Sequence, residues 1–162
     1  MATTPARPVD TTDRRIELYV RSLTSRTRDG VVERVVEGLR RRRSAGVIDS
    51  FTVRIWGERV GLSTTAVDTD RGQDVLERIA TFRRWASRNR VSLAPFFEST
   101  QTTSRVTGEA YTTLRLPVIA MAEYRGTEVV LVSPHEGTDG VCTVEDHLDR
   151  LGDRPGAAAD AT

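Results

Sequence analysis

The sequence predicts an α+β fold: one domain in which a mixed, mainly antiparallel sheet of about five strands carries two long helices on one face, in a ferredoxin-like arrangement, with a short helix at the C-terminal end. Three observations predict it. Apolar and polar residues alternate in short runs near residues 16–20 and 51–56, two longer stretches repeat apolar residues with a helical period, and the second half holds β-rich runs around a compact turn. Right-handed crossovers then place both long helices on the same side of the sheet.

"RIELYVRSL" supplies the first strand, with Ile16, Leu18 and Val20 on one side and Glu17, Tyr19 and Arg21 on the other. "DGVVERVVEGLRRRR" sets Val31, Val32, Val35, Val36 and Leu39 on one helical stripe, with Asp29 as N-cap and Gly46 past the end. At about 100° per residue, Arg40 and Arg41 point to solvent while Arg42 and Arg43 swing toward the edges of the stripe. The four arginines therefore do not form one exposed basic face, and their place suits a helix C-terminus.

"IDSFTVRIWGERV" is a second strand, with Phe51, Val53 and Ile55 facing one way and Thr52, Arg54 and Trp56 the other. "QDVLERIATFRRWASRNR" forms the second amphipathic helix, and "VSLAPFF" a third strand limited by Pro95. "ESTQTTSRVTGEA" reads as a soluble loop. "YTTLRLPVIAMAEY" and "EVVLVS" are strands joined in a hairpin at Arg125-Gly126, and "CTVEDHLDRL" is a short helix with Thr143 and Asp146 at capping-box spacing.

Length suits a single domain over residues 14–151, flanked by polar, small-residue tails at 1–13 and 152–162. The basic residues are all arginine, so chemistry that needs a lysine on a phosphate or in a Schiff base is excluded. Twenty-four basic against twenty-three acidic residues leave a net charge of +1, so attraction to a polyanion must rest on a local patch. One cysteine, no secretory leader and no membrane-length apolar run imply a cytoplasmic protein.

"YVRSL", "FTVRIWGERV", "LPVIAMAEY" and "TVEDHL", in this order across residues 15–151, resemble small haloarchaeal proteins without an assigned activity. Some of those carry a helix-turn-helix label. The resemblance implies an origin and no catalytic residues.

Chemistry points to a binding protein rather than an enzyme. Tyr19, Arg21, Arg54 and Trp56 lie opposite the expected core and share the open sheet face. That face suits a homodimer or a protein partner, for which Trp, Tyr and Arg are favoured anchors. The alternative is nucleic acid, stacked on the aromatics and held by arginine, with Arg40 and Arg41 assisting; Glu17 on the same face opposes phosphate. His135, Glu136 and Asp139, or Asp146, His147 and Asp149, lack a metal-binding spacing, so neither metal nor cofactor is expected. A hydrolase or thiol enzyme would centre on "HEGTDGVC", with Cys142 and a base in reach, but no motif supports it.

Overall fold

The computed structural model describes residues 13–22, 30–62 and 70–152. Residues 1–12 and 153–162 of the expected tails, and Asp29, lie outside them. The elements run β1 Arg14–Val20, α1 Val31–Ser44, β2 Ser50–Ile55, β3 Arg59–Gly61, α2 Asp70–Arg88 and β4 Glu98–Thr103. β5 Ala110–Arg115, β6 Ile119–Arg125, β7 Glu128–Ser133, β8 His135–Gly137, β9 Gly140–Cys142 and α3 Val144–Leu151 follow.

The α+β class, the mixed sheet and the short C-terminal helix are as expected. The main sheet has four strands in the order β2-β1-β6-β7, with β1 and β2 parallel and the other pairs antiparallel. A three-stranded sheet, β3-β5-β4, and the β8-β9 pair stand apart from it. β1, α1 and β2 form a plain crossover unit whose strands are direct neighbours, whereas a ferredoxin-like sheet splits that unit.

The helices divide between the two faces of the sheet instead of sharing one. Ile16, Leu18 and Val20 of β1 pack with Val35 and Leu39 of α1, Met121 of β6, and Val144, Leu148 and Leu151 of α3. The intervening Tyr19 packs with Ile79 and Phe82 of α2, Ala120 and Ala122 of β6 and Leu114 of β5. The handedness rule places α1 through the β1–β2 crossover of the main sheet; α2 instead joins β3 to β4, which both run antiparallel to β5 and so are parallel members of the smaller sheet, and the rule fixes its side relative to that sheet and not to the main one. β6 carries the sign of a two-sided core, for Ala120 to Tyr124 are all buried.

Local signals explain some of the ends. Thr143 accepts from the Asp146 amide and Asp146 from the Thr143 amide, the expected capping box of α3. α1 instead begins at Gly30 with no side-chain cap. Gly126 takes φ 62° in the two-residue turn of the β6–β7 hairpin. α1 meets α3 at Gly38, where an added Cβ would lie 2.6 Å from Leu148 Cδ2.

Several strand assignments move. "VSLAPFF" folds as turns joined to the sheets by one bridge, Ser92 to Glu136, because Pro95 lacks a donor and Phe96 and Phe97 turn back to bond Leu93. The expected loop "ESTQTTSRVTGEA" contains β4, a mostly exposed threonine-bearing strand without apolar alternation. The expected second strand breaks at Trp56-Gly57 into β2 and β3, with Gly57 at φ 83°, and the long run through Pro117 breaks into β5 and β6; each pair of halves belongs to different sheets.

Candidate functional site

The sheet face expected to be open is closed. Tyr19 is 2% exposed and Trp56 5%. Their rings stack at 4.9 Å, with Phe82 edge-on to Tyr19 at 5.5 Å and Phe97 edge-on to Trp56 at 5.8 Å. The Trp56 indole donates to the Pro117 carbonyl at 3.3 Å, and the Tyr19 hydroxyl donates to Glu17. Burial, and then that hydrogen bond, hold the Tyr19 phenol far above its ordinary pKa.

The two arginines of that face are also engaged. Arg21 donates through Nε and Nη2 to the Leu116 carbonyl at 2.9 and 2.6 Å. Arg54 pairs with Glu17 at 3.6 Å and Asp74 at 4.0 Å. Glu17, buried on the α2 side, also accepts from Arg78 at 2.9 Å. Tyr19 and Trp56 are thus internal, Arg21 is tied to the backbone beside them, and Arg54, its side chain still 40% exposed, pairs with carboxylates at the rim, so the two aromatic anchors offer no open face for self-association. What misleads the sequence reading is that all four side chains are amphipathic, so alternation alone makes them the wet side.

The arginine run of α1 is dispersed. Arg42 is buried and donates to the Gly38 carbonyl at 3.0 Å, while the Arg43 guanidinium lies 4.9 Å over Phe51. Arg40 and Arg41 are exposed, as expected. Arg40 stands 3.9 Å from Glu37, and Arg41 borders an α1–α3 groove with Arg34, Glu33, Glu37, Glu145 and Asp149, in which Arg34 pairs with Glu145 at 2.9 Å. Four carboxylates against two arginines leave that groove acidic, which opposes a phosphate.

A second buried cluster lies on the α1–α3 side. Ser133 and His147 are both 0% exposed, with Ser133 Oγ 2.8 Å from His147 Nδ1 and His147 Nε2 3.4 Å from Glu123. Burial alone would lift the Glu123 pKa, but the His147 hydrogen bond and the Arg14 charge hold it below the ordinary value. An ionised Glu123 only accepts, so Nε2 carries the proton and Nδ1 accepts from Ser133. The order serine, histidine, carboxylate resembles a catalytic relay, yet its hydroxyl has no surface on which to meet a substrate.

His135 and Cys142 are register partners across β8–β9. His135 Nδ1 lies 2.7 Å from the Val132 carbonyl, and burial pushes the Cys142 thiol up, away from the reactive thiolate. Among the described residues, no group of three or more His, Cys, Asp or Glu is placed to hold a metal ion.

A basic surface appears on α2, which the expected site residues did not include. Its outer face is acidic toward the N-terminal end, with Asp74 and Glu77, and basic toward the other, with Arg83, Arg84 and Arg88 exposed around Ser87. Arg90 follows, exposed, just beyond the helix. Among the described residues none of these four guanidiniums pairs with a carboxylate; Arg84 only donates to the Thr81 hydroxyl at 3.1 Å. The helix dipole accounts for Arg88 in the last turn, but its influence has fallen away by Arg83 and Arg84. The signal was present in the sequence, since residues 78–97 hold five arginines and neither Asp nor Glu.

A family model described as a helix-turn-helix domain matches residues 9–156. The chain belongs to this helix-turn-helix domain family. Comparison with curated proteins gives no match, and neither does comparison with solved structures. In this family member, no two successive helices are joined by a short turn among the described residues. The helices that touch, α1 and α3, are distant in sequence and carry the acidic groove, while α2 carries the Arg83, Arg84 and Arg88 cluster. No helix among the described residues is long and apolar enough to cross a membrane.

Proposed function

We propose that this helix-turn-helix family member is a non-enzymatic, nucleic-acid-binding regulatory protein of the cytoplasm that holds phosphates on the outer face of α2. The observation that carries the reading is the set of exposed arginines, Arg83, Arg84 and Arg88, which have no carboxylate partner among the described residues. Guanidinium groups suit phosphate because their planar donors engage two oxygens at once. The family match supports the choice of nucleic acid over another polyanion. Arg84 and Arg88 are a like-charged i,i+4 pair, which costs a free helix a few tenths of a kcal/mol and is offset when each binds a phosphate.

The test is fluorescence anisotropy with labelled mixed-sequence oligonucleotides, single-stranded and duplex, on the wild type and on a triple variant, Arg83→Ala, Arg84→Ala and Arg88→Ala. The expected result is binding by the wild type and a loss of about a hundredfold or more in the variant, with an unchanged thermal midpoint. Equal affinities for the two proteins would remove α2 as the binding face.

A further inference from the structure

A cavity of about 690 Å³ opens along the flank of α2, beside the basic face. Its lining includes Leu93 and Phe97, both buried, and the exposed Arg83, Ser87, Glu98 and Ser99. The size falls within the range of clefts that enclose small organic groups, and apolar surface with a polar rim is the usual make-up of such sites. Arg83 belongs to both surfaces, so the arginine face and the cleft are continuous. Glu98 ends the acid-free stretch 78–97 and has no ion-pair partner among the described residues. A carboxylate there repels phosphate but accepts from an exocyclic amine.

We infer that this cleft receives an unstacked base of a single-stranded nucleic acid, with the adjoining phosphate on Arg83 and the exocyclic amine of cytosine or adenine donating to Glu98. The inference rests on the nucleic-acid reading of α2 and names its substrate class. A duplex keeps its bases stacked inside and presents only phosphates and groove edges, so it engages the arginines and leaves the cleft unused. A single strand gains the apolar floor as well. Because every base has a flat apolar face, that gain is broad, and Glu98 adds the preference for amino-bearing bases.

The test compares oligodeoxycytidylate, oligodeoxythymidylate and a mixed duplex of equal length by anisotropy, using the full chain. Two variants accompany the wild type: Ala94→Leu, at an exposed position lining the cleft, narrows it, and Glu98→Gln replaces an acceptor with an amide that both donates and accepts. Circular dichroism melts check that both fold. The wild type is expected to bind the cytidylate about tenfold tighter than the duplex, with the thymidylate between them. Ala94→Leu brings all three toward the duplex value, and Glu98→Gln levels cytidylate with thymidylate. Equal binding of duplex and single strands by the wild type, with salt dependence intact, overturns the cleft while leaving the α2 face standing. Absence of binding to any of the three overturns both readings.

Discussion

Trp56 shows how one indole decides between two accounts of the same residues. On an open face, its removal would weaken binding and spare the fold. In the structure it lies between Tyr19 and Phe97 and bonds Pro117, which ties β2 to the segment linking β5 with β6. Truncating a buried aromatic of this size removes its transfer free energy and leaves a cavity, so Trp56→Ala is expected to cost about 3–5 kcal/mol. Urea unfolding measures this directly, and a cost below about 1 kcal/mol, typical of a surface change, would contradict its place in the core. Glu17 belongs to the same joint. Its alternation with Ile16 and Leu18 suggests a wet position, yet Arg78, Arg54 and the Tyr19 hydroxyl replace water around its carboxylate. No run of neighbouring residues records that exchange, because two of the partners come from β2 and α2, 37 and 61 residues farther along the chain.

Among the elements, α1, α3 and the β6–β7 hairpin were legible because their signals are local: an apolar stripe, a capping box and a two-residue turn. β4 was not, since a polar strand with threonines toward solvent differs from a loop only through its partner β5. The site was legible in part. The dispersal of the α1 arginines followed from helical geometry, whereas the closure of the Tyr19–Trp56 face depended on α2, a tertiary fact. The basic end of α2 needed only a count of charges along residues 78–97. The α1–α3 contact also has a sequence trace, Gly38 within the valine stripe. A side chain there meets Leu148, so Gly38→Val is expected to force the helices apart and cost about 1–3 kcal/mol, despite removing a glycine from a helix. A thermal midpoint equal to the wild type's would mean that Leu148 yields without strain.

At the scale of the whole molecule, a sheet covered on both faces leaves helix exteriors and edges to meet a partner. Net charge of +1 gives little long-range attraction to a polyanion, so affinity is carried by a few local contacts. Three arginines on α2 that neutralise three phosphates predict a plot of log K against log salt with a slope of about −2 on a single strand and nearer −3 on a duplex. A diffuse interface over all exposed arginines would be far steeper. Replacing Arg84 alone with Ala is expected to reduce the slope by about one phosphate's worth, and Arg41→Ala, beside the acidic α1–α3 groove, to leave it unchanged. Anisotropy titrations at several salt concentrations read both numbers. If Arg41→Ala flattened the line as much as Arg84→Ala, the phosphates would run across α1, and the carboxylates of the α1–α3 groove would not govern docking.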